Sequence, residues 1–154
     1  MRRLSKATLA LVAACFLTAI GPSAQAYQGD VGGGGYAKGI EALKAKHYRE
    51  AAALFGELTD AAPRDPKAWQ LLGAAYAGAA NWKASRKAYE RAVALAPEDV
   101  SAHAGLNLAL TTLKDPTAQA ETDWLKAKAQ ACNDTCPDAA RFKALQASGM
   151  LQPG

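Results

Sequence analysis

Residues 69–97 read WQLLGAAYAGAANWKASRKAYERAVALAP, and their spacing decides the fold. Trp69, Leu72, Gly73 and Tyr76 recur at intervals of three and four, which places them on one face of a helix. Tyr89 and Ala92 do the same on a second helix, with Ser85 one turn earlier. Gly73 and Ser85 are small where the two helices have to approach closely. Asn81 stands where the chain reverses and can cap the second helix. Pro97 stops that helix, because proline has no N–H to continue the ladder. Asp65-Pro66 before the unit and Pro97-Glu98-Asp99 after it set acids at helix starts, where the helix dipole favours them.

Working outward, the same unit recurs at a spacing of 34. Gly39 matches Gly73, Tyr48 matches Trp82, Ala51 matches Ser85, Phe55 matches Tyr89, Leu58 matches Ala92 and Pro63 matches Pro97. Downstream, His103, Leu106, Asn107 and Leu110 keep the frame of Trp69, Leu72, Gly73 and Tyr76. Lys114-Asp115-Pro116 then inserts one residue, so that Ala120, Trp124 and Ala127 match Ser85, Tyr89 and Ala92 at a shift of 35. Three hairpins result, at about 36–63, 66–97 and 100–132. The first departs from the pattern, with Gly35 and Lys38 in place of Trp and Leu, so its first helix is expected to be short. The chain here is Ala-rich with few β-branched residues, which suits helix throughout.

The motif Trp69-x-x-Leu72-Gly73-x-x-Tyr76, then Ser85-x-x-x-Tyr89, Ala92 and Pro97, resembles the tetratricopeptide repeat at nearly every signature position. The resemblance implies an all-α protein, an α-solenoid of three antiparallel helical hairpins with the third degenerate, closed by a C-terminal capping helix. On that frame the repeats span about 36–65, 66–99 and 100–134, the capping helix 137–148, the whole domain 36–148, and a tail 149–154. Pro137 suits a first helical position and Gly149 a C-terminal cap. Ala140, Phe142, Leu145, Met150 and Leu151 are placed to cover the open end of the last hairpin.

Residues 1–26 read as an export signal. Arg2, Arg3 and Lys6 precede an apolar run from Ala7 to Ile20, Gly21-Pro22 breaks it, and Ala24-Gln25-Ala26 offers a small-x-small cleavage site. The run is shorter than the roughly 20 residues that span a bilayer. Val12-Ala13-Ala14-Cys15 offers a lipoprotein reading, but Phe16, Leu17 and Ile20 continue the apolar run past Cys15. Cleavage after Ala26 gives a periplasmic protein that starts at Tyr27, and residues 27–35, with four consecutive glycines, read as a flexible arm. The chain has 18 Lys+Arg against 14 Asp+Glu; without the three leader cations the balance is 15 to 14, a net of +1. That gives no support for a nucleic-acid or anionic-membrane partner, and no membrane insertion of the mature chain is expected.

Cys132 and Cys136 remain after cleavage and fit one disulfide, which fixes the turn before the capping helix. Two functional readings compete: C-x-x-x-C-P also suits a small copper carrier, with His47 or His103 as a third ligand, or a thiol-redox carrier. Against them, neither histidine is near in sequence and no strand is expected beside the pair. His103 is read as a partly buried structural histidine, His47 as a turn residue. No phosphate loop, G-x-S-x-G, H-E-x-x-H or convergent acid pair is present, so neither catalysis nor a cofactor is expected.

The resemblance implies a protein-binding function, with the first helix of each hairpin lining a concave face. Its groove positions fall on Tyr36, Ile40 and Leu43, on Lys67, Gln70, Ala74 and Ala77, and on Ser101, Ala104, Leu108 and Thr111. Ile40 and Leu43 read equally as core. The basic clamp that some family members use for a C-terminal carboxylate is missing, since Gln70 and Ala74 stand there. The function expected is a scaffold of the bacterial cell envelope that holds a segment of another protein. The sequence leaves the oligomeric state open.

Overall fold

The computed structural model describes residues 34–132 and 135–151. These form seven α-helices and no strand: α1 Gly34–Lys44, α2 Tyr48–Ala61, α3 Pro66–Gly78, α4 Trp82–Leu95, α5 Val100–Thr112, α6 Ala118–Cys132 and α7 Ala139–Ala147. The expected leader and residues 27–33 lie outside the described residues. Gly34 and Gly35 belong to α1 rather than to an arm. A Cβ on Gly35 would stand 3.1 Å from the Leu58 side chain, so this glycine lets α1 sit close on α2.

Local chemistry sets the helix ends. Asp65 and Asp99 cap α3 and α5: Asp65 accepts from the Lys67 N–H at 2.9 Å, and Asp99 from Ser101 and Ala102 at 2.8 and 3.3 Å. Asn81 accepts from the Ala84 N–H at the start of α4. The first helices of the hairpins end alike. Lys46, Ala80 and Lys114, each 34 residues from the next, take positive φ of 62°, 57° and 58°. Their N–H groups bond the carbonyls of Leu43, Ala77 and Thr111, and the N–H of the next residue reaches one position further back, to Ala42, Tyr76 and Leu110. Gly149 closes α7 in the same way. Pro137, by contrast, precedes the N-cap Asp138 and is not the first helical residue.

The helices stack as consecutive hairpins. Each packs on the next in the chain, and in addition α1 touches α3 and α3 touches α5. The first helices therefore lie side by side and form the inner face of an α-solenoid. Inside, Ala51, Phe55, Leu58, Ala68, Leu72 and Ala75 form one core, and Tyr89, Leu106 and Leu110 a second. The aromatic rings fit against missing side chains. A Cβ at Gly39 would lie 2.6 Å from the Phe55 ring, and one at Gly105 would lie 2.2 Å from the Tyr89 ring. Burial in that slot pushes the Tyr89 phenol up to about 12.

The C-terminal part closes the last hairpin. Phe142, Leu151, Leu145 and Met150 pack with Val100, Leu125 and Cys132. Ala140 is exposed and Ala139 takes the inward position, because the helix begins at Ala139 and not at Pro137. Cys132 and Cys136 are joined as a disulfide, which ties the end of α6 to the turn before α7.

Candidate functional site: the inner face and the third hairpin

The inner face is built from α1, α3 and α5, and its residues differ in what they offer. Tyr36, Ile40 and Leu43 are half-buried against the first core. The Tyr36 hydroxyl donates to Asp65, the cap of α3. Burial, and then this bond to a carboxylate, hold the Tyr36 phenol well above its ordinary range. Gln70 is buried, and its amide oxygen accepts from Lys67 Nζ at 3.0 Å, so it belongs to the stack more than to an open surface. Ala74, Ala77, Ser101 and Ala104 are half-buried, while Lys67, Leu108 and Thr111 are exposed. Leu108, at 43% exposure, is the exposed large hydrophobic residue among the described residues.

The second and third hairpins are interlocked differently. In the second, Ser85 Oγ donates to the Gly73 carbonyl at 2.9 Å, so the helices meet at a glycine. In the third, Asn107 stands in the place of Gly73 and is only 3% exposed. Its Nδ2 donates to the Ala118 carbonyl at 2.9 Å and to Thr122 Oγ1 at 2.6 Å. The expected match of Ala120 and Ala127 to Ser85 and Ala92 fails: both are exposed, and Thr122 and Leu125 face inward instead. The physical reason lies in the turn. Asp115 accepts from both the N–H and the hydroxyl of Thr117 and also pairs with Arg86 at 3.1 Å, which delays the start of α6 to Ala118. The Thr117 bonds, and then Arg86, lower the pKa of the Asp115 carboxyl.

His103 is 6% exposed and holds this hairpin together. Its Nε2 faces the Pro97 carbonyl at 3.0 Å and its Nδ1 faces a Glu121 carboxylate oxygen at 2.6 Å. The ring stacks on Trp124, with centroids 3.6 Å apart. Trp69, its counterpart 34 residues earlier, bonds the Pro63 carbonyl in the same manner at 3.0 Å. His47 is the exposed N-cap of α2, 3.4 Å from Glu50. The two cysteines bond each other, and among the described residues no group of three metal-ligating side chains comes together. No helix among them is long and apolar enough to cross a membrane.

Where α5, α6 and the turn after α7 meet, an open cavity of about 830 Å³ remains, lined by Asn107, Leu108, Thr111, Ala118, Thr122 and Met150 among others. Leu108 and Thr111 belong to the expected groove; Ala118, Thr122 and Met150 do not. The available signal for them was Asn107 in the glycine position and the longer turn after Lys114.

A tetratricopeptide repeat family model matches residues 42–110, the stretch that holds the Gly73 and Gly105 contacts with Tyr89. Residues 42–110 are a tetratricopeptide repeat region. Among solved structures it is similar to MamA (residues 41 to the end) from Desulfovibrio magneticus RS-1, at 34% identity and a TM-score of 0.54 over 56% of this chain and 50% of that one. A MamA RS-1 double mutant matches at 33% and 0.54, over 56% and 49%. A chain of a CopN-Scc3 complex matches at 21% identity and a TM-score of 0.64, over 76% and 65%, and shows the fold alone. The match spans about half the length of the MamA chains. A search among curated proteins finds no match.

Proposed function

We propose that the protein is a non-catalytic scaffold of the bacterial cell envelope that holds an extended or helical segment of a partner protein on the face made by α1, α3 and α5. The observation that carries this reading is the side-by-side packing of those three helices with small residues, Ala74, Ala77 and Ala104, half-open on them and Leu108 exposed at one end. Small side chains let another backbone approach, and a helix or strand laid there buries apolar surface without displacing charged side chains. Export fits the same reading. A Cys132–Cys136 disulfide is at home in an oxidising compartment, and residues 1–26 carry the leader pattern. Residues 1–26 lie outside the described residues.

The test is crosslinking with mass spectrometry on the exported protein, comparing the unaltered chain with Ala74→Glu plus Leu108→Glu. Two carboxylates on the inner face should remove the crosslinked partners while the helical circular dichroism stays unchanged. An unchanged set of partners rejects the inner face as the binding surface. Intact-mass measurement should show a chain that begins at Tyr27; a chain retaining residues 1–26 rejects export.

A further inference from the structure

The second helices of the first two hairpins begin with an aromatic residue, Tyr48 for α2 and Trp82 for α4. Tyr48 is a seam-filler: its ring lies against the C-terminal end of the next first helix, where a Cβ on Gly78 would stand only 2.3 Å from it. In the third hairpin the corresponding first residue of α6 is Ala118. The next helix, α7, ends at Ala147 and is followed by Ser148, Gly149 and Met150. The space between Ala118 and that end is the 830 Å³ cavity, and among the described residues no ring fills it. From this empty counterpart of the Tyr48 seat we infer that the cavity is an anchor pocket for one aromatic side chain of the partner segment.

The chemistry of the lining agrees. Leu108 and Met150 offer apolar surface, Ala118 and Gly149 leave space, Thr111 and Asn107 offer polar atoms to a phenol or indole, and Lys114, Asp115 and Gln119 add a polar side. Asn107 is nearly fully buried, and both of its hydrogen bonds to α6 come from Nδ2. The inference deepens the binding role and rests on it, but its test uses no partner protein.

N-acetyl-tyrosinamide is titrated into the 15N- and methyl-labelled protein, with N-acetyl-leucinamide as the control. The tyrosine probe should saturate in the millimolar range and shift the Asn107 side-chain amide and the Leu108 and Met150 methyls, with the leucine probe at least fivefold weaker. Ala118→Tyr, which places a ring where α2 and α4 have one, should abolish those shifts. Leu108→Ala, a milder change, should weaken binding several-fold with the fold intact. The proposal is overturned if the shifts do not saturate, if both probes bind equally, or if binding survives in Ala118→Tyr. It is also overturned if Tyr27→Ala moves the same signals without probe, because the occupant is then the chain's own N-terminal segment. Because Leu108 also lines the pocket, the crosslinking comparison is repeated with Ala74→Glu alone, which leaves the lining intact, so failure of the pocket and failure of the inner face can be told apart.

Discussion

The second and third hairpins carry the same two-helix plan, yet they are held by opposite means. The second closes on absence: Gly73 has no side chain, Ser85 reaches its carbonyl, and the Tyr89 ring lies where a Cβ would lie. The third closes on polar presence: Asn107 bridges to Ala118 and Thr122, and His103 is fixed by Pro97, Glu121 and Trp124. A glycine contact is close and leaves no room. In the third, the bridging side chain of Asn107 lies instead in the lining of the cavity beside Ala118. One hairpin leaves its seam filled and the other has a cavity beside it.

The contrast is tested most severely at the paired positions Trp69 and His103. Trp69→Phe removes one hydrogen bond to the Pro63 carbonyl and should cost about 1 kcal/mol in denaturant unfolding. His103→Phe keeps the stack on Trp124 but loses two bonds and leaves the half-buried Glu121 carboxylate without its partner, for a loss of about 3 kcal/mol. Adding Glu121→Gln should return part of that loss. Equal costs at the two positions would mean that His103 is no more than a copy of Trp69, and the polar account of the third hairpin would fall.

Next in size is the close approach itself. Gly73→Ala puts a methyl 2.9 Å from the Tyr89 ring and should cost about 2 kcal/mol. Gly56→Ala, in α2 with nothing within 4 Å, should instead stabilise by about 0.5–1 kcal/mol. If both alanines act alike, helix propensity and not packing governs the glycines. The two hairpins differ in their cover as well. Helix α5 lies over the second, whereas the third has only α7 and its disulfide. Cys132→Ser with Cys136→Ser should cost about 2 kcal/mol by the loop-entropy estimate, with hydrogen exchange rising in residues 139–151 and unchanged in α3 and α4. Uniform loss of protection would show that the cap is not a separate unit.

The fold was legible because its determinants are local. Trp69, Leu72, Gly73 and Tyr76 state a helix face and a close contact within eight residues, and Pro63 and Pro97 mark the ends. The third hairpin was legible only in part. A shift of 35 set Ala120 and Ala127 inward, whereas the Asp115–Thr117 bonds lengthen the turn and bring Thr122 and Leu125 inward. Counting residues cannot register a turn that hydrogen bonds have stretched. The cavity was not legible, since it arises from residues far apart in the chain, Ala118 and Met150, and from a ring that is missing. The engagement of Gln70 was equally out of reach of the sequence: its amide oxygen accepts from Lys67 Nζ.

The smallest effect gives the finest comparison. Lys46, Ala80 and Lys114 share a left-handed backbone that L-residues adopt at a cost of roughly 1 kcal/mol and glycine adopts freely. Glycine at each should therefore stabilise by a few tenths to about 1 kcal/mol, the unfolded chain's added freedom offsetting part of the relief. Because the three φ values lie within 5° of one another, backbone relief alone makes the three gains equal. The neighbours differ, however. After Lys114 comes Asp115, held by Thr117 and Arg86, whereas Asn81 after Ala80 only caps the next helix. Lys114→Gly should thus gain least if the stretched turn already dictates the backbone there, and thermal unfolding of the three single variants measures the difference. Three equal gains would show that the third turn carries no constraint of its own, and the longer connection would then be a passive insertion with no part in shaping the cavity.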